Sequence, residues 1–338
     1  MTNDRVVQPL VACLGNPVAG NPTQFVMSRI ARHAELDWRF FTSEVEESAF
    51  DAAFAGIKAL GMAGAAIFAP FPERAAALVD RRTPVADRMG RVGVIKWESG
   101  QWIGDETKAR AVVRSMVAHI ANENAKSVPS TEPPPEAFAV FGSRAFAASI
   151  AWELAQVPGD YEVAWCGQHP SSLALGSAQP SVAVGSDSDA VAEESAGAKD
   201  SKGQGANGTA VDSTSRPEGV LVKPIALEAL AEVTRPVRGL ILETTDALMG
   251  LDKSQRNRWL RDLPWSERPL AAFGWEGWSL SQDSSRNAAH GECEQRSVVV
   301  IDELEWMAYQ AAADFQFWTG YDADLDLIRE SLEEYLQW

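Results

Sequence analysis

The chain has 338 residues, with 30 Lys and Arg against 47 Asp and Glu and a formal net charge of −17. That sign argues against nucleic acid and anionic membrane surfaces as partners, since both are bound mainly through Lys and Arg. The length suggests two domains, and 46% hydrophobic residues supply enough apolar material for two cores. Three cysteines, Cys13, Cys166 and Cys293, are far apart and form no CxxC pair, which suggests a reducing compartment. Four scattered histidines give no zinc-ligand spacing. The start, Met1-Thr2-Asn3-Asp4-Arg5, lacks the apolar core of a signal peptide, and no run reaches the roughly 20 apolar residues of a membrane helix. The expectation is a cytoplasmic protein.

Val6–Leu14 reads as a buried parallel strand broken by Gly15-Asn16-Pro17, and Thr23–Ala34 as a helix with Phe25, Val26, Ile30 and Ala31 on one face. Trp38–Thr42 is a second strand. Ser48–Leu60 is an amphipathic helix stopped by Gly61, and Gly64–Phe68 a third strand. Glu73–Asp80 is predicted helical, Gly90–Trp97 and Gln101–Ile103 a hairpin, and Thr107–Asn122 a long helix. Ala125–Glu136 has linker composition. Strand Ala137–Phe141, a turn at Gly142, helix Ala145–Gln156 and strand Tyr161–Cys166 then open a Rossmann-type unit. Gly167–Glu218 is almost devoid of large apolar residues and is predicted to be a disordered insertion (167–218). Strands follow at Gly219–Lys223, Gly239–Leu242, Pro269–Phe273 and Val298–Ile301, with a helix near Leu227–Val233 and a smaller polar insertion at Ser279–Gln295. Helices Glu303–Thr319 and Leu325–Gln337 close the chain. Alternating strands and helices predict an α/β fold with largely parallel sheets.

Two stretches carry a resemblance. One runs from Leu14-Gly15-Asn16-Pro17-Val18-Ala19 through Ala63-Gly64-Ala65-Ala66-Ile67-Phe68-Ala69-Pro70 to Trp102-Ile103-Gly104-Asp105-Glu106-Thr107. The other is Ile301-Asp302-Glu303-Leu304-Glu305-Trp306-Met307-Ala308-Tyr309-Gln310 followed by Phe315-Gln316-Phe317-Trp318-Thr319-Gly320. Together they resemble the shikimate dehydrogenases, enzymes that reduce 3-dehydroshikimate with NADPH. The resemblance implies an N-terminal three-layer α/β substrate-binding domain (1–124, completed by helices 303–338), a Rossmann-like domain (137–302) and a cleft between them.

The family's chemistry depends on a lysine and an aspartate, and neither stands here. Where the family has Asn-Val-Thr-Xaa-Pro-Xaa-Lys, this chain has Ala66-Ile67-Phe68-Ala69-Pro70-Phe71-Pro72; where the family has Asn-Thr-Asp, it has Glu106-Thr107-Lys108. Proline has no side-chain group for proton transfer. The resemblance implies a substrate pocket holding Asn21 and Thr23, in place of a Ser-Xaa-Ser motif, with Thr107 and Gln310. Gly142-Ser143-Arg144-Ala145 replaces the family's glycine-rich NADP turn and keeps only its first glycine, which argues for loss of the cofactor.

The expectation is therefore a relative without ordinary NADP-dependent 3-dehydroshikimate/shikimate oxidoreductase activity, binding a small carboxylate ligand of shikimate type or regulating a pathway partner. The alternative is an active dehydrogenase of aromatic amino acid biosynthesis with a reorganised site, Lys108 pairing with Glu73 or Glu106. A third reading assigns Trp259, Trp265, Trp275 and Trp278 to a protein partner. Trp38, Trp102, Trp152, Trp306 and Trp318 are assigned to core packing.

Overall fold

The computed structural model describes residues 8–125, 136–166, 221–224, 233, 235–243, 261–273, 293, 295–301 and 303–336. Strands β1 (Leu10–Gly15), β2 (Arg39–Glu44), β3 (Gly64–Ile67), β4 (Arg81–Arg82), β5 (Val94–Glu98) and β6 (Gln101–Asp105) form one sheet, ordered β2-β1-β3-β5-β6-β4. The strand β1 runs parallel to both β2 and β3, and its Val11, Ala12 and Cys13 are fully buried. A strand covered on both faces has no polar positions to alternate, which is why the segment reads as a continuous apolar run. Strands β5 and β6 pair antiparallel, as the predicted hairpin requires.

Helix α1 (Thr23–His33) buries Val26, Met27, Ile30 and Ala31, and α2 (Phe50–Ala59) buries Phe50, Phe54 and Ile57. The Phe50 ring stacks on Phe71 with centroids 4.3 Å apart. The single helix expected over Glu73–Asp80 is shorter, α3 (Pro72–Ala76), and is followed by β4 and by α4 (Pro84–Met89). Thr83 starts α4 by accepting a hydrogen bond from the Ala86 N–H at 3.3 Å, with Pro84 at its first position. That cap-and-proline pair was the sequence signal for the extra helix.

The second sheet holds β7 (Glu136–Phe141), β8 (Tyr161–Cys166), β9 (Leu221–Pro224), β10 (Val237–Leu242), β11 (Trp265–Phe273) and β12 (Val299–Ile301). All its pairings are parallel, in the order β9-β8-β7-β10-β11-β12. This is the doubly wound Rossmann order, whose ligand crevice lies beyond the carboxyl ends of the two strands where the winding reverses, here β7 and β10. Helix α6 (Arg144–Leu154) follows β7. Residue Trp265 opens β11 and packs against the core of this sheet, so it is not part of an irregular surface cluster. Trp259, Trp275 and Trp278, the predicted insertion 167–218, most of 279–295 and most of the helix expected near Leu227–Val233 lie outside the described residues.

Two helices tie the sheets together. Helix α5 (Lys108–Ala125) leaves β6 and buries Ala109, Val112, Val113 and Met116 against Phe138 and Ile150 of the second unit. Helix α7 (Glu303–Thr319) leaves β12 and returns to the first, burying Leu304, Met307, Ala308, Phe315 and Trp318 with Val11, Val26 and Phe40. Helix α8 (Leu325–Leu336) adds Ile328 and Leu332 to the same core. On the far side, Arg110 bridges Asp105 at 3.0 Å and Glu153 of α6 at 3.4 Å, and the Arg88 guanidinium lies 4.2 Å from the Trp152 ring centroid.

The anchor of α7 is Trp318, whose indole N–H donates to the Ile95 carbonyl at 2.9 Å. It fits because Gly64 has no side chain: a Cβ there would collide with that carbonyl and with the indole ring. Gly64→Ala is expected to lower the unfolding free energy by about 1–3 kcal/mol through overpacking against a carbonyl that cannot yield. Urea unfolding of the purified variant measures this.

Candidate functional site

A cavity of about 900 Å³ lies between the two units. The loops after β1 and β3 contribute Pro17, Gly20, Phe68, Pro70 and Pro72, and α1 contributes Thr23, Val26 and Met27. The peptide bonds preceding Pro17 and Pro70 are both cis. Arg91, Gly93, Glu106 and Lys108 line the side nearest β6, and Glu243 reaches in from the end of β10. Helix α7 forms the opposite wall through Glu303, Trp306, Met307, Gln310, Ala311 and Asp314. Their spacing of three and four residues places them on one helical stripe.

Charges in this cleft are mostly matched. Arg91 donates to the buried Glu106 at 3.0 Å and lies 3.9 Å from Glu73. The Glu106 carboxylate fits beside Gly93, within 3.4 Å of where a Cβ would stand. It also accepts from the Lys108 backbone N–H at 3.2 Å. The ammonium of Lys108 donates to the Glu243 backbone carbonyl at 3.1 Å and lies 5.9 Å from the Trp306 ring. Asp314, 7% exposed, accepts from the Thr107 hydroxyl at 2.6 Å. Burial is the main reason its carboxyl is pushed up to about 8; Glu106 and Asp105 add to the shift, while the Thr107 bond and Arg110 oppose it. Cys13, behind this wall on β1, is fully buried, and its thiol is pushed up to about 12, first by that burial.

At the β7–β10 crevice, the Glu243 carboxylate accepts from the Ser143 backbone N–H and, at 3.2 Å, from its hydroxyl. Ser143 caps α6, accepting from the Phe146 N–H at 3.1 Å. An anion is thus already seated at the amino end of this helix, where uncompensated N–H groups and the dipole favour negative charge. Gly142 makes the approach possible, since any side chain there would collide with the Glu243 carboxylate. Its carbonyl accepts from the Trp165 indole at 3.0 Å, which holds the turn against β8.

Residues 13–95 match the model of the shikimate dehydrogenase substrate binding domain. The NADP-dependent shikimate dehydrogenase of Alkalilimnicola ehrlichii is 31% identical over 108 residues, 32% of this chain and 40% of the relative. That of Aeromonas hydrophila is 32% identical over 106 residues, 31% and 39% of the two chains. The sequence match thus spans about 40% of these relatives' length. Among solved structures, shikimate 5-dehydrogenase of Thermus thermophilus in complex with shikimate aligns over 98% of this chain and 100% of its own, with a TM-score of 0.61 and 18% identity. An Ael1 enzyme from Pseudomonas putida aligns over 96% and 98%, with a TM-score of 0.65 and 16% identity. Residues 13–95 thus resemble the substrate-binding domain of the shikimate dehydrogenases, and the chain shares the fold of their solved structures.

Within this fold, Thr23, Gln310, Pro72 and Lys108 all line the cleft. Asn21 does not line it. Its side-chain oxygen accepts from the Thr23 N–H at 2.8 Å, an Asx turn leading into α1, and the residue borders an adjoining surface depression. Thr107 is buried behind the wall, its hydroxyl bonded to Asp314, so it supports the cleft from behind. Gly142, Ser143, Arg144 and Ala145 form the turn and first residues of α6, with Ser143 engaged by Glu243. Neither Glu73 nor Glu106 is left for Lys108 alone, since Arg91 engages both. Sequence reasoning missed Arg91, Asp314 and the polar character of the α7 stripe; its signal was the spacing of Glu303, Trp306, Gln310 and Asp314.

A carboxyl held above its unfolded value means that the folded chain keeps a proton which the unfolded chain releases. Stability is then greatest below the ordinary carboxyl value of 3.8 and falls as pH rises toward about 8. Asp314→Asn removes that dependence. Its melting temperature relative to the parent is expected to improve by about 3 °C or more between pH 5 and pH 8.5, roughly what 1 kcal/mol produces. Thermal unfolding of both proteins across this range is the check.

Proposed function

We propose that this protein is a ligand-binding member of the shikimate dehydrogenase family, holding a small hydroxylated carboxylic acid of shikimate type in its cleft without NADP-dependent reduction. The observation that carries the reading is the Glu243 carboxylate on the Ser143 N–H and hydroxyl at the start of α6. A dinucleotide pyrophosphate needs that helix end free for its own negative charge. A fixed carboxylate there repels it and has already taken a donor it requires. The turn therefore does not fit NADP, although related enzymes are named for that cofactor.

The chemistry of the cleft points the same way. Pro72 and Lys108 stand where the family's proton-handling pair stands, and the Lys108 ammonium is bonded to a backbone carbonyl of the opposite unit. An enzyme rebuilt around Lys108 would need that ammonium at the substrate to exchange its proton. Ligand recognition keeps more support: Thr23 and Gln310 line a cavity of about 900 Å³, large enough for a ring bearing several hydroxyls. Shikimate is the ligand in the Thermus thermophilus structure that shares this fold.

Calorimetric titration with shikimate, alongside an assay of NADPH oxidation by 3-dehydroshikimate, tests the reading. Expected are saturable shikimate binding in the absence of any nucleotide and no NADPH oxidation above the protein-free rate. Sustained turnover would overturn it.

A further inference from the structure

The wall presented by α7 carries polar groups that the fold does not use. Asp314 is buried and lines the cavity, and among the described residues the hydrogen-bond partner of its carboxyl is the Thr107 hydroxyl, on one oxygen only. One turn toward the start of the helix, Gln310 lines the same cavity. A further turn away stands Trp306, 5% exposed, whose indole N–H finds no acceptor among the described residues. Buried polar atoms are rarely left unpaired without a ligand or water to meet them. The unpaired Trp306 indole, the Gln310 amide and the Asp314 carboxyl, at positions 306, 310 and 314, make a polar ladder along one face, with the cavity in front of it.

The surroundings of Asp314 decide its role. Asp105 and Glu106 face it from β6 and the start of α5, Arg110 from α5 and the Cys13 thiol from β1. Glu303, Gln310 and Trp306 share its helix face, and Lys108 and Arg91 lie across the cavity. Arg110 is committed to Asp105 and Glu153, and Arg91 to Glu106 and Glu73. A carboxyl buried beside two other acids, with its nearest guanidinium already paired, is driven to its neutral form. In that form it is a hydrogen-bond donor, as are the indole and the Gln310 amide.

We propose that Asp314, as a neutral carboxylic acid, donates a hydrogen bond to an oxygen of the ligand in the cleft, with Trp306 and Gln310 as donors beside it. The inference rests on the ligand-binding reading above and names the acceptor chemistry that this face selects: carbonyl, hydroxyl or carboxylate oxygens rather than an amine. It also makes binding pH-dependent. The ionised form loses the donor and places a negative charge against a negative ligand, so affinity falls as pH rises past the titration of Asp314.

The test is calorimetric titration of shikimate from pH 6 to pH 9.5 into the parent protein, Asp314→Asn and Asp314→Ala, each first shown to unfold cooperatively on heating. Asparagine keeps both an oxygen for Thr107 and an N–H for the ligand, and it does not titrate. The expected result is a parent Kd that is flat at low pH and weakens toward tenfold per pH unit above about pH 8. Asp314→Asn should bind at near-parent strength with no such slope, and Asp314→Ala about tenfold or more weakly throughout, the loss of roughly one hydrogen bond to a charged ligand. A parent Kd that stays level to pH 9.5, or an alanine variant that binds like the parent, overturns this inference and leaves the ligand-binding reading standing. No shikimate binding by the parent at any pH overturns both.

Discussion

Helix α7 is held in two hydrophobic cores at once, and the cleft exists because of that double commitment. Its Leu304, Met307, Phe315 and Trp318 belong to the core of the first sheet, while Trp306 packs with Ile301, Phe138 and Ile150 in the second. A helix fixed at both ends in this way cannot turn about its axis without opening one core or the other. Between those two commitments lies the face that looks into the cavity, where Trp306 and Met307 belong to a core and to the cavity wall at once. Its chemistry is therefore set by sequence alone, with little freedom for the fold to hide it.

On that fixed frame, electrostatics separates the two ligand positions of the fold. The crevice of the second sheet is filled by an internal anion, Glu243, seated on the amino end of α6 and admitted by the missing side chain of Gly142. The interdomain cavity remains open, with Arg91 paired to Glu106 and Glu73 and the Lys108 ammonium hydrogen-bonded to the Glu243 carbonyl. Lys108 connects the two places, since its ammonium and the Ser143 donors meet the same residue from opposite sides.

Much of the architecture was legible because strand and helix periods are local. The boundaries of α7 follow directly from Glu303 and Thr319, and the parallel order of the second sheet from the strand–turn–helix repeat. Pro72, Lys108 and Ser143 were equally visible as candidates, because each can be read within a short local motif. The partners were not. Arg91 and Glu106 meet across a hairpin, Thr107 and Asp314 are 207 residues apart in the chain, and Ser143 and Glu243 are 100 apart. Spacing along one segment carries no information about such pairs. For the same reason Asn21 read as a pocket residue, whereas its nearest donor, the Thr23 N–H, turns it into a local backbone support.

On the proposed reading, Glu243 takes the place of a dinucleotide phosphate at the start of α6. Fluorescence titration of NADPH against the intact protein tests it most directly, because the signal needs neither substrate nor turnover. No saturable binding is expected up to about 1 mM, an affinity weaker than roughly −4 kcal/mol. Saturation at micromolar concentrations, with Glu243 unaltered, would contradict it.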